Sequence, residues 1–147
     1  DNIQETFGLT PVEAMAAGLP AVVTDWDGYR DTIVHQETGL RIPTIMPPRE
    51  AGVTMAYRYE DRQINYDQYC AETSMATMVD IRKTTEAFVA LARDPALRKK
   101  LGEAGRRRVR AIYDWRKVVP EYQALWAELN ARRLAAREAA GQSVTTG

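Results

Sequence analysis

Two glutamates, Glu5 and Glu13, stand eight positions apart on either side of the segment Phe7-Gly8-Leu9-Thr10. Thr10-Pro11-Val12-Glu13 reads as a helix start, with Thr10 as the N-cap, Pro11 at the first helical position and Glu13 completing a capping box. A glycine loop entering a helix is an anion cradle, because main-chain N–H groups and the positive end of the helix dipole converge there. The N–H groups of Gly8 to Thr10 can therefore receive a diphosphate, and Gly8 lets the backbone approach the ligand closely. Two carboxylates beside a diphosphate would repel it. Their sensible partners are sugar hydroxyls on either side, one on a hexose and one on a nucleoside ribose.

The elements that must position this loop follow from the pattern downstream. Ala14 to Ala17 propagate the first helix, and Gly18-Leu19-Pro20 stops it. Ala21-Val22-Val23-Thr24 is a short apolar run without alternation, as in a strand covered on both faces of a parallel sheet. The turn Asp25-Trp26-Asp27-Gly28 falls at the carboxyl end of that strand, where open α/β sheets bind ligands. A short helix from about Tyr29 to Val34 leads to a second strand, Leu40 to Ile42, stopped by Pro43. Helix, turn and buried strand in this order give an α/β class. Residues 43–73, with Pro47, Pro48 and four tyrosines, read as an inserted loop with a short helix near Tyr66 to Glu72. Met75 to Val79 returns the chain to the core as a short strand. Asp80 then caps a helix to about Arg93 with Ala87, Phe88, Leu91 and Ala92 inward. Asp94-Pro95 opens a helix with a stripe of Leu97, Leu101, Gly105, Val109 and Ile112, which breaks near Tyr113. Asp114 caps a last helix with Val118, Val119, Tyr122, Leu125, Trp126 and Leu129 on its apolar face. Residues 1–134 are expected to form one partial nucleotide-sugar-binding domain, and 135–147 a helix end and disordered tail.

The segments ETFGLTPVE, AMAAGLPAVVTDWDGYRDTI and TGLRI resemble the retaining glycosyltransferases of the GT-B fold, the group that includes glycogen synthases, sucrose synthases and bacterial mannosyltransferases. Weaker likeness runs through DPALRKKLGEAGRRRV and the terminal DW and YQALW. The resemblance implies an incomplete Rossmann-like parallel sheet, flanking helices and a helical C-terminal half, the donor-binding domain of such an enzyme. By position, Glu5 would support the charge that builds at the anomeric carbon of the transferred sugar. Phe7, Gly8 and Leu9 would offer main-chain contacts to sugar and diphosphate, Thr10 would face phosphate, and Glu13 would hold the ribose. Such enzymes keep the anomeric configuration, and the resemblance implies reaction on one face of the sugar with the departing diphosphate assisting the acceptor, so electrostatic stabilisation counts for more than a protein nucleophile. No cofactor or metal is implied. The implied partners are a nucleotide-diphosphate sugar, a carbohydrate or lipid-linked acceptor, and the N-terminal portion of the same protein. The family's donor-phosphate Arg and Lys and its acceptor domain lie upstream of this motif, so this chain alone is expected not to transfer a sugar. Asp27-Gly28-Tyr29-Arg30-Asp31 replaces the family's frequent Gly-Gly-x-x-Glu, and the 43–73 insertion is atypical.

Composition narrows the alternatives. The 147 residues carry a net charge of zero, which argues against a dedicated nucleic-acid binder. Charge is unevenly placed: 12 acids face 5 bases up to Thr73, and 8 acids face 15 bases from Ser74. The two halves should attract each other. Cys70 is the single cysteine, which excludes an intrachain disulfide and suits a reducing compartment. A cytoplasmic location is expected, with a peripheral position at the inner membrane surface as the variant. Plainer readings stand beside the functional ones. Glu13 suits a capping box, Asp25 and Asp27 suit turns, and His35 suits the surface. Arg106-Arg107-Arg108 reads first as a solvated helix face and second as a contact to an anionic membrane. Trp115, Tyr122 and Trp126 read as core or domain contacts. Two other function classes remain in view, a nucleotide or nucleotide-sugar binding module without chemistry and a helical interaction domain. Two or three short parallel strands also leave an open sheet edge, which calls for upstream strands of the same protein, a partner or an oligomer.

Overall fold

The computed structural model describes residues 6–144, with side chains to residue 140. Two compact units divide at Val109. The first contains α1 (Leu9–Ala16), β1 (Ala21–Thr24), α2 (Tyr29–Thr32), β2 (Gly39–Ile42), β3 (Thr44–Ile45), α3 (Val53–Glu60), α4 (Tyr66–Ala76), β4 (Met78–Val79), α5 (Ile81–Arg93) and α6 (Pro95–Arg108). A one-turn 3-10 helix, Arg49–Gly52, precedes α3. The second unit is dominated by α7 (Trp115–Val144), which follows a π-helical turn at Val109–Tyr113.

The expected α/β grammar is present. β1 and β2 pair in parallel, with Ala21 opposite Gly39 and Thr24 opposite Ile42, and α2 lies in the connection between them. Gly39 is required by the pairing itself, because a Cβ there would stand 2.5 Å from the Ala21 carbonyl oxygen. α1 packs against β1, α6 against β2, and α5 against both strands. Val12, Met15, Ala21, Ile33, Ile42, Ala87, Leu91 and Leu101 form the buried apolar core. Thr32 and Thr38 are buried with them and spend their hydroxyls locally: Thr32 Oγ1 donates to the Gly28 and Tyr29 carbonyls, and Thr38 Oγ1 accepts from the Val34 N–H at 3.0 Å.

Several expectations need correction. α1 begins at Leu9 with Gly8 as its N-cap, so Thr10 sits inside the first turn and no side chain caps the helix. The capping box with Glu13 is absent for the same reason. The 43–73 segment is largely helical, and α4 runs on to Ala76 where a strand from Met75 was expected. Asn65 and Gln68 supply a capping box at the start of α4, each side chain bonding the other's N–H at 2.9 Å. A two-residue antiparallel pair, Thr44 with Val79 and Ile45 with Met78, closes the base of this insertion. On α5 the stripe is Thr84, Ala87 and Leu91, and Phe88 is exposed. One residue turns a helix by about 100°, so Phe88 cannot share the face of Ala87. The caps at Asp80 and Asp94 are as read, each accepting from the N–H three residues on at 2.9 Å. In the second unit α7 continues to Val144, and the Tyr122 and Trp126 rings lie 6.0 Å apart on an exposed face.

The Asp25 N–H bonds the Ile42 carbonyl on β2, so by strand alternation the Val23 N–H also faces β2 and the Val22 N–H faces the other edge. Among the described residues no strand pairs with that edge. Hydrogen exchange on the isolated chain should therefore show Val23 protected and Val22 exchanging much faster. Equal, strong protection of both amides would contradict an open edge.

Candidate functional site

The loop before α1 owes its path to two glycines. Gly8 has φ +72°, a left-handed conformation that L side chains adopt only at a cost, and a Cβ there would run into the Tyr29 ring. Gly28 lies directly against the Thr6–Phe7 peptide, so that no side chain fits between them. The turn at the carboxyl end of β1 thus clamps the loop that leads into α1. Gly28 and Tyr29 were not among the residues expected at the site. Their signal in the sequence was the Asp27-Gly28 turn at the carboxyl end of a buried strand, where ligands bind in open α/β sheets, although neither residue was given a role there.

The far end of α1 is held as firmly. Gly18, at φ +78°, donates to Met15 O at 2.9 Å and Leu19 donates to Ala14 O at 2.9 Å, the two bonds of a Schellman stop. Arg106 Nη2 adds a third bond, to Ala17 O at 2.8 Å. α6 reaches α1 through two buried glycines: Gly102 lies against the Gly18 carbonyl, and a Cβ on Gly105 would stand 2.8 Å from Met15 Cγ. Arg108 does the same service for α2, donating to Asp31 O at 2.7 Å and Thr32 O at 3.1 Å. Two members of the arginine run therefore cap helix C-termini, where a cation is also favoured by the helix dipole.

At the N-terminus of α1 the donors are left available. Gly8 makes no side-chain cap, Pro11 has no N–H, and the N–H groups of Leu9 and Thr10 occupy the first two helical positions. Phe7, Leu9, Thr10 and Glu13 are exposed, while Gly8 is buried. Glu13 sits two residues further along α1 than a capping glutamate would, which frees its carboxylate from the cap role. Glu5 lies outside the described residues.

Beside this loop, Asp25 organises the carboxyl end of the two parallel strands. Its carbonyl accepts from Arg30 Nη2 at 2.8 Å and from Thr44 Oγ1 at 2.9 Å. Its carboxylate lies 3.3 Å from Arg30 Nε and 3.4 Å from Arg41 Nε. Asp25 Oδ1 and Arg41 Nε are buried without hydrogen-bonded partners of their own, so charge proximity rather than aligned bonding holds this pair. His35, expected to be an ordinary surface residue, is exposed, and its Nδ1 accepts the Arg41 N–H at 2.9 Å. A cavity of about 330 Å³ on this edge is lined by Trp26, Asp27, Arg30, Thr44 and Met46.

A short parallel sheet flanked by helices, a glycine loop entering an uncapped helix, and a turn that clamps the loop define an α/β domain. The comparisons with known proteins carry this further. Residues 2–51 match the family of glycosyl transferases group 1. The phosphatidyl-myo-inositol mannosyltransferase of Mycobacterium leprae is 32% identical over 111 residues, covering 76% of this chain and 20% of that protein. Sucrose synthase 2 of Zea mays is 28% identical over 112 residues, covering 76% and 10%. The D-inositol 3-phosphate glycosyltransferase of Jonesia denitrificans is 39% identical over 49 residues, 33% of this chain and 12% of that one. Among solved structures, the sucrose-phosphate synthase of Thermosynechococcus elongatus superposes with a TM-score of 0.59 at 26% identity, over 86% of this chain and 23% of that one. The chain thus spans 10% to 20% of the length of these three curated relatives. Its fold is like that of a segment of a GT-B glycosyltransferase, and its first third resembles the glycosyl transferases of group 1.

If Tyr29 is what closes the space beside Gly8, Gly8→Ala should lower the thermal midpoint through both steric contact and left-handed strain. Tyr29→Ala in the same chain should relieve the steric part only. A double-mutant cycle by thermal denaturation should give a coupling of about 1 kcal/mol or more. Strict additivity would mean that the ring does not confine the loop.

Proposed function

We propose that the segment Phe7 to Thr10 and the start of α1 bind the diphosphate of a nucleotide-diphosphate sugar, and that the protein transfers the sugar to an acceptor hydroxyl with retention of configuration. One observation carries the reading: α1 starts from a left-handed glycine with no side-chain cap, leaving the Leu9 and Thr10 amides at the positive end of a helix. An anion of the right size is the natural partner for such donors. The turn that clamps this loop lies at the carboxyl end of a parallel strand, the edge at which open α/β sheets take their ligands. The match of residues 2–51 to group 1 glycosyl transferases supports sugar transfer as the chemistry.

Within this reading each residue has a separable task. Phe7, Gly8 and Leu9 contact sugar and diphosphate through the main chain, and the exposed Leu9 side chain covers one side of the donor. Thr10 contributes its N–H and hydroxyl to phosphate. Glu13, exposed on α1 and free of a cap role, accepts hydrogen bonds from the ribose. Glu5 supports positive charge at the anomeric carbon while the diphosphate leaves. The acceptor is a carbohydrate or lipid-linked molecule, and the residues that bind it and the cations that neutralise the donor phosphates are expected outside this segment.

Calorimetric titration of the full-length protein with a panel of nucleoside-diphosphate hexoses should find one tight donor. Glu13→Ala should weaken that donor by about tenfold or more, as expected for loss of a hydrogen bond to a charged group. Glu5→Ala should leave donor affinity largely intact and lower turnover by about 10²-fold, the scale of one lost electrostatic stabiliser. Undiminished turnover in Glu5→Ala would remove that residue from the site. Failure of every donor to bind would remove the site itself.

A further inference from the structure

The insertion builds a pocket that the donor site does not use. α3 and α4 lie against each other, tied by a bidentate pair in which Arg58 Nη1 reaches Glu72 Oε2 at 2.7 Å and Nη2 reaches Oε1 at 3.1 Å. Tyr59 packs on Tyr69 with ring centroids 5.4 Å apart, and Ile64 and Cys70 are buried between the helices and their link. Where this hairpin meets the Pro47-Pro48 segment, a cavity of about 320 Å³ opens, walled by Met46, Pro47, Pro48, Met55, Tyr69 and Ala76.

Its lining points to a ligand class. The hydroxyl of Thr73 is turned to the Tyr69 carbonyl at 2.7 Å and toward Met55 Sδ at 3.1 Å, so the interior offers few polar groups. A space of this size holds many times the volume of a water molecule, and apolar cavities favour apolar occupants over water. It also reaches the lower bound of ordinary small-molecule sites. Two methionines in the wall suit a flexible chain, since a thioether side chain adapts to irregular shapes. Two prolines and the tied hairpin keep the walls from collapsing inward. One cation, Arg49, lines the cavity and is itself exposed.

We propose that this pocket binds a single hydrocarbon chain ending in an anionic group, the chain between the prolines and α4 and the anion on Arg49. The proposal stands apart from the donor reading, because none of its residues belongs to the loop before α1. Met46 also borders the cavity at Trp26 and Thr44, so the bound chain would lie at the same edge of the sheet as the clamped loop.

Two positions allow a clean test. A Cβ on Gly52 meets nothing within 4 Å, and the residue has an ordinary helical conformation, so Gly52→Phe adds bulk at the pocket wall without strain. Arg49 is exposed, so Arg49→Gln removes the cation without disturbing a core. Calorimetric titration of the full-length protein below the micellar range should show saturable one-to-one binding of dodecyl phosphate and of dodecanoate, the two arms separating a phosphate head from a carboxylate. Dodecyl maltoside and inorganic phosphate should each bind at least tenfold more weakly. Gly52→Phe should abolish dodecyl phosphate binding and Arg49→Gln should weaken it about tenfold, with thermal midpoints and nucleotide-sugar binding unchanged. Absence of saturable binding to the unaltered protein, or equal affinity in both variants, would overturn the proposal. So would inorganic phosphate binding as tightly as dodecyl phosphate.

Discussion

The contact on which the rest depends is the seating of the Thr6–Phe7 peptide on Gly28. Any Cβ at position 28 would occupy the space of that peptide, so the turn after β1 and the loop before α1 are one packing unit. Tyr29 extends the clamp by one residue, closing over Gly8 and leaving it no side chain to carry. The left-handed Gly8 then sets the direction in which α1 departs. A loop on a surface is ordinarily the mobile part of a domain. Here both of its flanks are fixed, one by the β1 turn and the other by the Schellman stop, Arg106 and the two glycines of α6 at the far end of α1. Preorganised main-chain donors are useful for binding a leaving group because they need no rearrangement when charge develops.

Charge in this chain is used in an unexpected way. With an acidic first half and a basic second half, carboxylate-to-guanidinium pairs between halves were the simple expectation. Arg106 and Arg108 of α6 donate to main-chain carbonyls at the ends of α1 and α2. A carbonyl at a helix C-terminus has lost its intrahelical partner and carries the negative end of the dipole, so a guanidinium satisfies both demands at once. The bond from Arg106 spans 89 positions in sequence and that from Arg108 to Asp31 spans 77. These residues join α6 to the helices around the loop, and a reading of Arg106-Arg107-Arg108 as a bare basic surface misses that role.

Much of the architecture was legible because local signals were single-valued. The apolar run Ala21 to Thr24 had no other sensible fate than a covered strand, and Asp80 and Asp94 could act only as caps. Thr10-Pro11-Val12-Glu13 was ambiguous, since its residues suit a helix starting at Pro11 or one already begun at Leu9. Contacts from Gly28 and Tyr29, distant in sequence, decide for the second. α3 escaped notice because its half-buried residues, Met55, Ala56 and Arg58, face other parts of the insertion rather than the main core, so no long apolar stripe marks it. Phe88 misled for the opposite reason: an aromatic residue in an amphipathic helix suggests burial, yet the stripe through Thr84, Ala87 and Leu91 leaves it outside. For the candidate site, the loop was visible in composition, whereas its support by Gly28 and Tyr29 was not, because a glycine's value at a close approach depends on what arrives opposite it.

The place where the insertion joins the domain explains how it can be tolerated. It leaves directly after β2 and returns through β4, and the β3–β4 pair ties its two ends together within four residues. Once the base is closed in this way, added length costs little, because loop-closure entropy grows only slowly with the number of residues enclosed. The helices inside then stabilise one another through the Arg58–Glu72 pair, the tyrosine contacts and the buried Ile64 and Cys70, without drawing on the core around Met15 and Leu101. The insertion therefore behaves as an annex whose inner surface can change while the sheet does not. Because it is rooted at the carboxyl end of β2, and Thr44 at its base bonds the Asp25 carbonyl at the end of β1, any molecule held by the annex is held on the same edge as the clamped loop. A fold that keeps its main-chain donors fixed can vary its annex without altering the geometry of the clamped loop.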